Sequence, residues 1–215
     1  GTHVYNLAGQ HGKRVQSMMG AKNHVVVMPD ANKEQTLNAM VGAAFGAAGQ
    51  RCMALSVAVM VGDSKHWINE LVTKAKTLSV NAGHEPNTDI GPVISPRAKA
   101  RVIDLINSGV EQGAELLLDG RDIQVKGYEN GNFVGATVFS NVTTDMRIYK
   151  EEIFGPVLTI LCVETLDEAI ELVNANPFGN GVGLFTQSGA VARTFQNRID
   201  IGQVGINIPI PVPVP

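Results

Sequence analysis

The sequence predicts an α/β protein with a mostly parallel sheet flanked by helices. Two observations carry that expectation. Apolar runs of strand length, Leu55-Ser56-Val57-Ala58-Val59-Met60-Val61 and Val157-Leu158-Thr159-Ile160-Leu161-Cys162-Val163, read as buried strands, the usual condition of strands in a parallel sheet. Segments with apolar residues at helical spacing lie between such runs, and this alternation is what a sheet covered by helices requires.

Taken in order, residues 1–9 continue a helix, and residues 13–18 and 24–28 are short strands. Residues 32–48 form a helix with Ala, Leu and Met at helical spacing, followed by the strand 55–61. Residues 64–78 are helical because Trp67, Leu71, Val72 and Ala75 fall on one face, and a Pro/Gly/Asn-rich loop over 81–92 follows. The helix 96–112 opens on Pro96, whose missing N–H is no loss in a first turn, and carries an apolar stripe through Val102, Leu105 and Ile106. Residues 115–118 are a strand, and a Gly/Asn/Asp-rich excursion runs to about Gly135. Strand 157–163, helix 166–174, strand 183–185, helix 190–199 and strand 203–207 complete the alternation.

Both ends read as interrupted. Gly1 is not an initiator residue, and Ile206-Asn207-Ile208-Pro209-Ile210-Pro211-Val212-Pro213-Val214-Pro215 alternates Pro with β-branched residues in an extended backbone whose apolar side chains have nothing after them to bury against. The expectation is a piece of a larger protein, truncated at both ends.

The 215 residues are 44% hydrophobic, enough for a substantial core. With 17 Lys and Arg against 20 Asp and Glu, the net charge of -3 gives no electrostatic reason for a nucleic-acid or anionic-membrane partner, and no apolar stretch is long enough to span a bilayer. His3, His11, His24, His66 and His84 are scattered rather than paired at ligand intervals, so no metal site is expected. Two cysteines far apart suggest free thiols in a reducing compartment, with Cys162 as inert core of its strand.

Cys52 stands in Phe45-Gly46-Ala47-Ala48-Gly49-Gln50-Arg51-Cys52-Met53-Ala54, where a guanidinium and a Gly-rich loop surround a thiol. A cation or a set of main-chain N–H donors stabilises thiolate against an ordinary pKa of about 8.5 and so suits a nucleophile. The alternative for Cys52 is a small buried hydrophobe.

A second motif, Lys150-Glu151-Glu152-Ile153-Phe154-Gly155-Pro156-Val157, weighs against that alternative, because together with the Cys52 segment it resembles the aldehyde dehydrogenase superfamily. Gly-Gln-Arg-Cys-Met-Ala, Gly-Ala-Lys-Asn-His, Lys-Gly-Tyr-Glu-Asn-Gly-Asn-Phe and the terminal Asn-Ile-Pro-Ile-Pro-Val-Pro-Val-Pro are similar to the branch of CoA-acylating methylmalonate or malonate semialdehyde dehydrogenases. The resemblance implies the catalytic domain of that fold over residues 19–215. Residues 1–18 would be the end of the NAD-binding domain, with Gly1 closing its nucleotide-binding turn.

It further implies Cys52 as nucleophile, Glu152 on the nicotinamide ribose hydroxyls with Phe154 bordering the same ribose, and Asn207 lining the substrate site. The residues themselves leave Glu152 and Phe154 open to a second reading, a charged helix end and a turn, and Asn207 to a buried turn. For Glu151 the charged helix end is the preferred reading. Arg51 is either the clamp for a substrate carboxylate or a group that lowers the Cys52 pKa or makes a structural ion pair.

One departure points to the acceptor. Hydrolytic relatives carry a Glu in Glu-Leu-Gly-Gly-Lys, whereas this chain has Met18-Met19-Gly20-Ala21-Lys22, and Met18 cannot act as a base. A thiol such as coenzyme A then becomes the acceptor of the acyl group. The resulting expectation is NAD-dependent, CoA-acylating oxidation of a small-molecule semialdehyde, in a homo-oligomer (tetramer or dimer) of bacterial cytoplasm, or of mitochondrial matrix if eukaryotic. An isolated chain of this length is expected to bind NAD too weakly for turnover. The alternatives are a hydrolytic semialdehyde dehydrogenase releasing a free acid, and a non-catalytic structural or assembly module.

Overall fold

The computed structural model describes residues 1–17 and 19–209. Its centre is a seven-stranded sheet in the order β3-β4-β5-β2-β1-β6-β7. The strands are β1 (Asn23–Val27), β2 (Leu55–Val61), β3 (Glu115–Leu118), β4 (Thr137–Ser140), β5 (Val157–Val163), β6 (Gly181–Phe185) and β7 (Gln203–Ile206). Every pairing is parallel except β3 with β4, as the apolar strand runs imply.

Helices α1 (Thr2–Gln10), α2 (Lys33–Phe45), α3 (Ile68–Lys76), α4 (Pro96–Glu111), α5 (Arg147–Lys150), α6 (Leu166–Asn174) and α7 (Gly189–Arg198) surround it. Val25 and Val27 of β1 with Ala58 and Met60 of β2 face α2 and α3, while Val26, Val57, Val59 and Val61 face α4 to α7. This is the two-residue period of a strand buried on both faces. Among the described residues no helix is long and apolar enough to cross a membrane.

Several helix starts carry their own local cause. Asn32 accepts from the Gln35 N–H ahead of α2, and Ser95 accepts from the Ala98 N–H ahead of Pro96. Thr165 and Glu168 form a reciprocal capping box at the start of α6.

The structure departs from the sequence expectations in five places. Residues 13–17 are not part of the sheet: Val15 is the one apolar residue of Lys13-Arg14-Val15-Gln16-Ser17, too little to bury a strand, and the Lys13 N–H donates back to Ala8 O at 2.9 Å. The helix expected over 32–48 stops at Phe45, and Ala47 and Ala48 take left-handed φ of 53° and 54° in a 3-10 turn. Residues Gly62–Trp67 form a second 3-10 turn, so the helix expected from 64 begins at Ile68. The strand β4, which forms between β3 and β5, and the single-turn helix α5 are additions that no local pattern marks. Finally, Cys162 is exposed rather than core: it falls at the solvent end of β5, where the burial of the preceding five residues gives out. Partial desolvation raises its thiol pKa, with Lys65 opposing and Glu164 adding.

Candidate active site

Open parallel sheets ordinarily bind ligands beyond the carboxyl ends of their strands. Here the candidate residues gather at the amino ends. Asn23 begins β1, the Cys52 turn leads into β2, Glu152 to Gly155 lead into β5, and Asn180 precedes β6.

Cys52 occupies a tight turn closed by the Ala54 N–H donating to Arg51 O at 3.0 Å. Its side chain is exposed. Its main-chain carbonyl is held from two sides: Asn23 Nδ2 donates to it at 3.0 Å and to Ala54 O at 2.8 Å, and Asn180 Nδ2 donates to it at 2.9 Å. Asn180 Nδ2 also meets Asn23 Oδ1 at 3.1 Å, so the two amides form one unit. Just upstream, Gly49 at φ +67° lies so close to the Gly155 carbonyl that a Cβ would collide with it. That approach locks the Cys52 turn to the Glu152–Gly155 segment, and only glycine permits it.

Cys52, Glu152 and Phe154 line a common cleft with Ala21, Asn23 and Arg51. Glu152 Oε1 accepts from the Ala21 N–H at 3.2 Å, and Glu152 O accepts from Arg101 Nη2 at 2.9 Å. Glu151 turns the other way, into ion pairs with Arg147 at 2.9 Å and Arg101 at 3.4 Å, and the Arg147 hydrogen bond chiefly holds its carboxyl below the ordinary range. Phe154 sits at φ +57° and is 45% exposed. A bulky residue in that conformation is strained, and an apolar ring left in solvent gains nothing from burial.

Arg51 is already engaged: Nη2 donates to Gly42 O at 3.0 Å and Ala43 O at 2.9 Å, at the carbonyl-rich end of α2. It stands between the Cys52 cleft and an adjoining cavity of about 320 Å³ that also touches Asn38, Met53 and Pro209. Asn207, expected near the substrate, lies outside the cleft lining. At φ +58° it ties β6 to the following turn, with its N–H donating to Leu184 O at 2.7 Å and its Oδ1 accepting from the Thr186 N–H at 3.0 Å. Gly1 caps α1 beside the Met19 side chain, also outside the cleft. Met18, where hydrolytic relatives would place their base, lies outside the described residues.

Three side chains of the site escaped the sequence reading: Lys22, Asn23 and Asn180. Lys22 and Asn23 sit inside the quoted Gly-Ala-Lys-Asn-His motif, but no local pattern shows which loops their side chains reach. Asn180 looks like an ordinary Gly-Asn-Gly turn residue. The arrangement as a whole offers an exposed thiol on a fixed turn, facing a cleft with a carboxylate and an aromatic ring.

The model of the aldehyde dehydrogenase family matches residues 1–214. A human relative, the mitochondrial acylating methylmalonate-semialdehyde/malonate-semialdehyde dehydrogenase, is 64% identical over 208 residues, which are 97% of this chain and 39% of the relative. The chain therefore spans about two-fifths of that relative's length. The methylmalonate-semialdehyde dehydrogenase structure of Oceanimonas doudoroffii superposes with a TM-score of 0.96 at 46% identity, covering 99% of this chain and 44% of that one. A structure from Sinorhizobium meliloti, named as a methylmalonate-semialdehyde dehydrogenase and complexed with NAD, gives a TM-score of 0.96 at 48% identity with the same coverage.

Proposed function

The chain belongs to the aldehyde dehydrogenase family, and from that premise we propose that it serves NAD-dependent, CoA-acylating oxidation of malonate or methylmalonate semialdehyde to acetyl-CoA or propionyl-CoA, with loss of carbon dioxide. The observation that carries the reading is the single cleft shared by exposed Cys52, Glu152 and Phe154. In this reading the Cys52 thiolate adds to the aldehyde carbon, its own N–H helps to hold the oxyanion, and the aldehyde carbon becomes a thioester on sulfur. NAD, when bound, supplies the hydride acceptor.

The residues present fit that cofactor. Glu152 has one carboxylate oxygen tied to Ala21 and a second available to a vicinal diol, and the strained, half-exposed Phe154 ring gains a reason for its position as a wall for the ribose. Arg51 would steer the substrate carboxylate with the part of its guanidinium not spent on α2. Asn207 would act on the substrate only indirectly, by shaping the turn that carries Pro209 to the cavity beside Arg51.

Residues 1–18 would complete an NAD-binding domain, with Gly1 at its phosphate turn, and residues 19–215 the catalytic domain. Coenzyme A as acyl acceptor is supported by Met18 in place of a base and by the acylating relatives. A homo-oligomer, tetramer or dimer, belongs to the same reading. So does the compartment, bacterial cytoplasm or, for a eukaryotic chain, the mitochondrial matrix, in line with the word mitochondrial in the human relative's name.

The test uses a full-length protein carrying this chain. Semialdehyde turnover should form NADH, leave an acyl adduct on Cys52 when coenzyme A is withheld, and release acyl-CoA when it is added. Cys52→Ser should abolish all three. An adduct on Cys162, or equal product release without coenzyme A, would refute the proposal.

A further inference from the structure

Lys22 is among the largest fully buried side chains of the protein, at 2% exposure, although lysine is almost never buried unless paired. No carboxylate among the described residues lies within ion-pair distance of it. Instead Nζ donates to Ile148 O at 2.6 Å and to Glu151 O at 2.7 Å, carbonyls at the end of α5 that the short helix leaves unbonded. Next to it, the Ala21 N–H holds the Glu152 carboxylate.

Asn23, also 2% exposed, works toward the other wall. Its amide fixes the carbonyls of Cys52 and Ala54 and joins Asn180. Consecutive residues entering a strand point to opposite faces, which is why one dipeptide can reach both loops.

We propose that Lys22 and Asn23 are the positioning residues of the cleft, Lys22 for Glu152 and Asn23 for Cys52, so that the entry into β1 sets both walls at once. The Lys22 half rests on the reading of Glu152 given above. Stability alone does not call for lysine at this depth. Burial lowers its pKa to about 7, against the pull of Glu152 and Glu151 and with a smaller push from Arg101, and a methionine of similar length would fill the space without that penalty. What the lysine adds is a double hydrogen bond to the main chain directly before Glu152. Arg101 completes the grip from α4 through Glu152 O.

The experiment compares Lys22→Met, Lys22→Arg, Asn23→Ala and Glu152→Gln in a full-length protein carrying this chain. NAD affinity is measured by calorimetry, Cys52 iodoacetamide reactivity by peptide-resolved mass spectrometry, and Tm for each variant. Lys22→Met should weaken NAD about tenfold while Cys52 alkylation stays within about twofold, and Asn23→Ala should change Cys52 alkylation by about fivefold or more while NAD affinity stays within about twofold. Lys22→Arg, which keeps the donors, should restore most of the NAD affinity. Adding Lys22→Met to Glu152→Gln should weaken NAD no further than Glu152→Gln alone.

If Lys22→Met and Asn23→Ala shift both readouts alike in step with Tm, the residues are plain core and the inference is wrong. If Glu152→Gln weakens NAD but Lys22→Met does not, the Lys22 half falls and the cofactor reading survives. If Glu152→Gln leaves NAD affinity unchanged, the cofactor reading fails and takes the Lys22 half with it, while the Asn23 half is still decided by alkylation. Should Lys22→Met not fold, Lys22→Gln, which keeps donors for only part of the pair, carries the same comparison with Lys22→Arg.

Discussion

Asn180 Nδ2 donates to the Cys52 carbonyl at 2.9 Å across 128 residues of chain, so the loop before β6 is fastened to the turn that carries the candidate nucleophile. The bond completes a clamp begun by Asn23, and both amides reach the main chain of Cys52 rather than its sulfur, while Asn180 Nδ2 also meets Met53 Sδ at 3.0 Å.

Removing the Asn180 amide should therefore loosen the turn without touching the thiol directly. Asn180→Ala is expected to cost about 1 kcal/mol of stability, the typical worth of a hydrogen bond with a partly exposed partner. Cys52 alkylation should change while Cys162 alkylation stays constant, which peptide-resolved labelling would read.

Gly49 is the steric hinge between the two loops. Gly49→Ala must place a methyl against the Gly155 carbonyl in a left-handed conformation, and should cost about 2 kcal/mol or more. Denaturant unfolding would measure the loss. Gly83→Ala is the control, since its Cβ would meet open space.

His24 supplies a pH signature. Its Nδ1–H donates to Lys22 O at 2.7 Å, which leaves Nε2 to accept from the Tyr149 hydroxyl at 3.1 Å. Burial, with a smaller push from Lys22, lowers its pKa to about 4 from an ordinary 6.5, against the pull of the Lys22 carbonyl. The unfolded chain thus binds the proton first as pH falls from 6.5, so stability drops between 6.5 and 4, by an amount on the order of 3 kcal/mol. His24→Gln should be less stable at pH 7 yet show a shallower loss over that window. Urea unfolding across the pH range would decide it, and parallel curves for the two proteins would show that His24 is not the group responsible.

Arg51 has two separable duties. Arg51→Leu frees the Gly42 and Ala43 carbonyls at the end of α2 and should cost about 1–2 kcal/mol of stability. If it also steers a substrate carboxylate, KM for a semialdehyde acid should rise steeply while KM for propanal holds. Equal losses for both substrates would assign Arg51 to the fold alone.

The sequence by itself determined the elements whose causes are local. Strands 55–61 and 157–163 and helix 166–174 fall where the sequence pattern puts them, because a continuous apolar run marks a strand without reference to its neighbours and the helix starts on a capping box made by its own Thr165 and Glu168. It also singled out Cys52, Glu152 and Phe154, which the fold brings to one cleft. Only the tertiary structure decided the rest. Ala47 and Ala48 leave the helix so that Gly49 can meet Gly155, and β4 exists because β3 and β5 flank it. Lys22 finds Ile148 and Glu151 more than a hundred residues away, and Cys162 reaches solvent because its strand outruns the layer covering it. Main-chain polar groups must be satisfied and apolar surface must be covered wherever the chain happens to cross itself, and those crossings are set by the sheet order rather than by any local pattern.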